Sequence, residues 1–203
     1  MNHLSILICC YVFLFLNSNL SAQENNGGWF SLGGRSTLNS FSHDGIGIGT
    51  GGQFRIQLTN SVNTSWFYDY IVINRNNIRS EYQHIGWSVM YYPFKHLILE
   101  KFQPFILAGH CFDYNKKTVI SNPEISKDRW GSAVQGGLGV HYHISPRLDI
   151  TLKSQYMIHL TSHLEIHQVG IEPHVHEHDG VSFEGHLLTT ISMNYKIFKL
   201  WNK

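Results

Sequence analysis

The chain has 203 residues, of which only 14% are charged, and 15 Lys and Arg against 14 Asp and Glu give a formal net charge of +1 with the histidines neutral. So even a balance offers no basic surface and excludes nucleic acid as a partner. Eighteen glycines and 13% aromatic residues, with few charges, suit an all-β protein.

The first element is MNHLSILICCYVFLFLNSNLSA, in which Leu4 to Leu16 are almost all apolar and Asn17 to Ala22 are small or polar. This pattern predicts a secretory signal peptide over residues 1–22, cleaved after Ala22, and leaves residues 23–203 as one domain. A spanning helix needs about twenty apolar residues, and neither this run nor any later segment supplies them. A lipid anchor on Cys9 or Cys10 fits poorly because the apolar stretch continues past both. The remaining cysteine, Cys111, has no partner for an intrachain disulfide and reads as a packing residue.

Eight strands follow, at Trp29–Leu38, Ile46–Leu58, Val62–Ile73, Ile78–Phe94, Phe102–Asn115, Trp130–Ile144, Leu148–Ile166 and Phe183–Ile197. The clearest is Leu148–Ile166, whose even positions (Leu148, Ile150, Leu152, Tyr156, Ile158) are mostly apolar and whose odd positions (Asp149, Thr151, Lys153, Gln155, His159) are mostly polar. Strict period-two alternation means one apolar and one polar face. In Phe102–Asn115 the register stays open, because Phe105 and Leu107 compete with Ile106 and Phe112 for the apolar face. Tight turns at residues 59–61 and 145–147 alternate with a short connection at residues 74–77 and longer polar loops at residues 40–45, 116–129 and 168–182. With the first strand starting in the periplasm, the tight turns fall on that side and the long loops outside. The connection from Pro93 to Lys101 is the exception.

Three features put lipid on the apolar side. Aromatics gather near both strand ends: Trp29, Phe30, Tyr91, Phe102, Tyr142 and Tyr195 at one, Tyr70, Tyr82, Trp130 and Phe183 at the other. The polar face carries Arg35, Arg55, Asp69, Asp149, Lys153 and Lys196 among many glycines, as a narrow lumen packed with paired charges would. The strands also exceed the roughly nine to eleven residues needed to cross a bilayer. The prediction is an all-β fold, an eight-stranded antiparallel up-and-down transmembrane β-barrel in the cell outer membrane, with outer-membrane lipids around it. The other reading of the same period is a soluble, lipocalin-like ligand-binding barrel whose apolar residues line a cavity.

The segments GIGIGTGGQFRIQLTNSVNTSWFYDYIVI, FQPFILAGHCFDYN and GGLGVHYHISPRLDITLKSQY resemble the strand and turn units of the small eight-stranded outer-membrane β-barrel family of Gram-negative bacteria. The likeness runs from Trp29 to Phe198. It implies a porin-like closed barrel and a final-strand aromatic, here Phe198, read by the barrel-assembly machinery.

Candidate chemistry is concentrated in histidines. Seven of fourteen lie between His159 and His186, including the tip sequence HVHEHDG. On the seventh strand His163, Glu165 and His167 share a face, and a hairpin folding near residue 176 would bring Glu184 and His186 opposite them, with His174, His176 and His178 at the tip. These eight residues are the expected ligands for zinc, copper or nickel. A polar loop without bound metal would show the same spacing.

A lipid-modifying enzyme of the outer leaflet would need a His-x-Ser pair. The one present after the predicted signal peptide, His143-Ile144-Ser145, lies at the periplasmic end, and Ser162 and His163 point to opposite faces. A non-catalytic role in surface interaction or envelope integrity is therefore expected. A conducting pore is not, because eight strands enclose only enough space for side chains.

Overall fold

The computed structural model describes residues 27–42, 45–93, 101–160, 163–169, 172–178 and 185–201, so the predicted signal peptide lies outside the described residues. The described residues form ten strands: β1 (Trp29–Ser42), β2 (Gly45–Gln57), β3 (Val62–Arg75), β4 (Ile78–Tyr91), β5 (Phe102–Val119), β6 (Asn122–His143), β7 (Leu148–His159), β8 (His163–Val169), β9 (Glu172–His178) and β10 (Gly185–Lys199). Eight close a barrel in the order β1-β10-β7-β6-β5-β4-β3-β2, and β8 with β9 makes a separate two-stranded sheet inserted between β7 and β10. Every pairing is antiparallel, and β1 meets β10 to leave the barrel without an edge. Closure satisfies every barrel strand on both sides, which a bilayer interior demands.

The side chains are inside out relative to a soluble barrel. Ile48 is 68% and Leu138 65% exposed, whereas Asp69 and Gln155 are fully buried. Leu32, Ile106, Leu152 and Ile191 continue the outer belt, and Trp66, Trp87, Tyr91, Phe102, Trp130 and Tyr195 add large rings to it. A soluble barrel lined by these apolar residues is therefore not what the sequence builds. Apolar surface on this scale is stable only against lipid.

Facing size differences settle the register of β5. Phe105 and Leu107 are buried while Ile106 and Phe112 face out. The inward pair lies opposite Gly139 and Gly137 of β6, and a Cβ at Gly139 would come within 2.5 Å of the Phe105 ring. Tyr82, expected in the upper aromatic belt, instead faces the lumen at 4% exposure. Its strand fixes this: Ser80, His84, Ser88 and Met90 share its parity inside, and Ile85, Trp87, Val89 and Tyr91 take the outside.

Two other expectations change at the end opposite the tight turns. The segment 116–129 is no loop, since β5 and β6 continue as a hairpin with Lys116 opposite Asp128 and Asn115 opposite Arg129. The single strand expected over Leu148–Ile166 stops at His159 and resumes as β8 in a different sheet. Alternation carried across both parts of that stretch, so period alone did not reveal the change of partner.

The β3–β4 turn is made by Asn76 and Asn77 with φ of 50° and 63°. Asparagine tolerates this left-handed pair, which matches the twist of the flanking strands. Asn77 also receives the Ser121 N–H on its Oδ1 (3.1 Å) and donates to the Ser121 hydroxyl (2.5 Å), while its carbonyl accepts the Ile120 N–H (2.8 Å). The β3–β4 and β5–β6 turns are thus fastened together. Asn77→Ala is expected to cost about 1 kcal/mol, from lost side-chain bonds and an unfavourable φ. Hydrogen exchange should accelerate at residues 119–122 and stay unchanged in the barrel wall.

Candidate functional site

The lumen is built from the polar parity of the strands and is filled in layers. Nearest the tight turns, Arg55 pairs with Asp149, whose Oδ1 also accepts from Thr151 (3.0 Å) and Asn194 (3.1 Å). Tyr92 and Thr151 hydroxyls flank the His141 ring at 2.9 and 2.6 Å. A second pair follows, Arg35 Nε to Asp69 Oδ1 at 2.8 Å, with both side chains fully buried. Gly51 makes it possible. It lies between Arg35 and Asp69 in the β1–β2–β3 register, and a Cβ there would press on the Tyr68 carbonyl and come within 2.9 Å of Asp69 Oδ1. The guanidinium crosses this gap and stacks over Phe67 at 4.4 Å.

Above the ion pairs the interior turns apolar: Phe67, Ile71, Cys111, Ala133, Met157 and Leu188 pack as one buried cluster. Cys111 is fully buried with its thiol 3.7 Å from the Met157 sulfur, a packing role. Ion pairs below and this apolar layer above leave the lumen filled by side chains.

One lumenal position beyond Cys111, Met157 and Leu188 stand Asp113, His159 and His186, and His84 of β4 completes the group. His159 Nδ1–H donates to Asp113 Oδ2 at 2.9 Å, and His84 Nε2 lies 3.1 Å from Asp113 Oδ1. His159 Nε2 in turn shares a hydrogen bond with His186 Nδ1 at 3.1 Å. His84 and His186 stack at 5.7 Å between centroids. The result is a chain of groups rather than a cage, and among the described residues no three metal-ligating side chains are set to hold one ion.

Of the expected metal ligands, His186 is therefore inside the barrel, 4% exposed and opposite Met157. Glu184 lies outside the described residues. The other six are on the β8–β9 hairpin, where backbone pairing sets His163 opposite His178, Glu165 opposite His176 and His167 opposite His174. Opposed residues share a face of an antiparallel ladder, as do residues two apart. Five histidines and one glutamate thus hold alternate, mutually paired positions in the register of these seven-residue strands.

The His143-Ile144-Ser145 segment sits at the tight-turn end, where each group is engaged locally. His143 Nε2 bonds Gln103 Oε1 at 3.0 Å, and Ser145 Oγ accepts the backbone N–H of Arg147 (3.3 Å) and Leu148 (3.1 Å). Ser162 lies outside the described residues. Sequence reading did not single out His84, Asp113 and His159 as a group. Their common signal is an ionisable residue on the lumenal parity, one position past an apolar one, and it becomes visible only once the register of β5 is known.

No family model and no curated protein sequence matches the chain. Solved structures do. Neisserial surface protein A superposes with a TM-score of 0.56 at 13% identity, over 84% of this chain and 97% of that one. The N-terminal β-barrel domain of OprF from Pseudomonas aeruginosa gives 0.56 at 9% identity, over 84% and 98%. A major outer membrane protein from Thermus thermophilus gives 0.52 at 11% identity, over 83% and 98%. At these identities the likeness is one of fold, and the outward apolar belt is what sets the barrel in a bilayer. The chain has the fold of the small eight-stranded outer-membrane β-barrels, with apolar side chains against lipid and ion pairs within.

Proposed function

We propose that the chain is an integral outer-membrane barrel with a non-catalytic role at the cell surface, and that its β8–β9 hairpin binds a divalent transition-metal ion of the zinc, copper or nickel class. The filled lumen supports the first part, since it leaves function to what the barrel holds out beyond the membrane. Both described chain ends and the tight turns lie at one rim, taken as periplasmic, and the hairpins at the other. The barrel-assembly machinery is the partner expected in biogenesis, with Phe198 near the end of β10 as the aromatic it reads.

The observation that carries the metal reading is the hairpin register. Successive rungs on one face are about 6.6 Å apart and paired strands about 5 Å apart. His163, Glu165, His176 and His178 therefore occupy the corners of a small rectangle, and His167 with His174 extends it by one rung. Four nitrogen and oxygen donors at that spacing suit tetrahedral coordination with bonds of about 2.0–2.2 Å. The six hairpin residues form the proposed set, and His186, bonded within the lumen, stands apart from it.

Calorimetry on the detergent-solubilised protein tests this by titrating zinc and copper into wild type and a variant with alanine at His174, His176 and His178. Affinity should fall at least about 100-fold in the variant. In wild type it should weaken as pH drops through about 6.5, because coordination needs neutral imidazole. Equal affinity in both proteins removes the hairpin from the site, and millimolar affinity in both removes the metal function altogether.

A further inference from the structure

The tight-turn rim of the lumen contains a cavity of ≈ 100 Å³ that the filled barrel above it does not need. Its lining includes Ser31, Arg55, Asn63, Gln103, His143 and Lys196. Only one carboxylate, Asp149, borders it, and that group is already bonded to Arg55, Thr151 and Asn194. Asp149 neutralises Arg55, so Lys196 is the cation of the lining that has no carboxylate bonded to it. The Asp149 charge acts on Lys196 from beyond ion-pair distance, and that carboxylate is shared with Arg55.

The hydrogen-bond inventory has the same bias. Arg55 is 5% exposed, yet its Nε has no acceptor. Gln103 Oε1 is held by His143, which leaves the amide N–H₂ as the end able to donate. Ser31, at 4% exposure, adds a hydroxyl. A buried donor without an acceptor is costly, and a cavity with an excess positive charge is a place where an anion relieves that cost. A water molecule takes about 30 Å³ of liquid, so the space holds a group of several heavy atoms.

We infer that this cavity is a binding site for a small oxyanion, a phosphate or carboxylate group, with Lys196 and Arg55 supplying charge and Ser31 and Gln103 supplying directed hydrogen bonds. The site opens at the rim carrying the tight turns and the chain ends, opposite the His-rich hairpin. It is independent of metal binding there.

Calorimetry on the full chain, folded in detergent at low ionic strength, tests the inference with inorganic phosphate and acetate as separate probes. Saturable 1:1 binding is expected for at least one of them at about millimolar affinity. Lys196→Gln should weaken it at least about tenfold, and Gln103→Leu, which keeps both cations, should weaken it severalfold. Lys199→Gln is the control: Lys199 lies over the Trp29 ring at 5.4 Å and does not line the cavity, so its loss should change nothing. A variant lacking the hairpin histidines should bind as wild type does, which keeps this outcome separate from the metal reading. Absence of saturable binding for both probes overturns the inference. So does equal weakening by Lys196→Gln and Lys199→Gln, which would mean a diffuse surface charge effect.

Discussion

Asp69→Ala is expected to destabilise the barrel by about 3–5 kcal/mol in urea unfolding from phospholipid vesicles. The carboxylate and its partner Arg35 are both fully buried, 2.8 Å apart, and Thr37 donates a further hydrogen bond to Asp69 at 3.2 Å. On the other side of Arg35 lies the Phe67 ring, with the Lys153 ammonium 5.1 Å from the same ring. Without Asp69 the Arg35 guanidinium and the Lys153 amine are left against the same Phe67 ring with no carboxylate beside Arg35. Neither can reach water through a packed interior, so the penalty is that of an uncompensated buried charge, not of one lost hydrogen bond. The double variant Arg35→Met/Asp69→Leu removes both charges and should recover most of the loss, because a buried pair is worth little more than apolar side chains of similar size. A single variant within about 1 kcal/mol of wild type, or a double variant as unstable as the single, would show that solvent reaches this layer and that the lumen is wetter than described.

Much of this arrangement could be read from the chain before its structure. Alternation in Leu148–His159 and Ile46–Leu58 assigned Asp149, Lys153, Arg55 and the outward belt correctly, because a strand's period of two leaves each residue only two choices of side. Where two registers competed, as at Phe105 and Ile106, the deciding fact was a neighbour: glycines of β6 lie opposite Phe105 and Leu107, and pairing is not encoded within one strand. Tyr82 was misplaced for a related reason. An aromatic near a strand end looks like a membrane anchor until parity counted along the strand turns it inward. The hairpin β8–β9 shows the other limit. The histidine spacing was plain, but the rungs that set His163 opposite His178 and withdraw His186 into the lumen depend on where the strand changes sheets. No local pattern marks that point.

Asp113→Ala should be the second most damaging single change and a local one. Asp113 lies within 2.9 Å of His159 and 3.1 Å of His84, and His159 in turn holds His186, so one carboxylate organises imidazoles from β4, β7 and β10. Its removal takes the acceptor from the His159 ring N–H and the carboxylate from beside His84, at a cost of about 1–3 kcal/mol. The apolar layer of Cys111, Met157 and Leu188 lies one lumenal position away and shields the ion pairs beyond it. The damage should therefore stay at the hairpin end. Hydrogen exchange is expected to rise at residues 84–86, 111–115, 157–159 and 186–188 while residues near Arg35 and Arg55 keep their protection. Asp113→Asn, which keeps an acceptor oxygen for one imidazole, should lose about half as much stability as alanine does. His159 ends β7 just before the chain enters β8, so loosening it should also weaken metal affinity at the hairpin severalfold without touching any proposed ligand. Uniform loss of protection throughout the barrel would contradict this layered account. Unchanged stability in both variants would mean that the four groups do not act as one network.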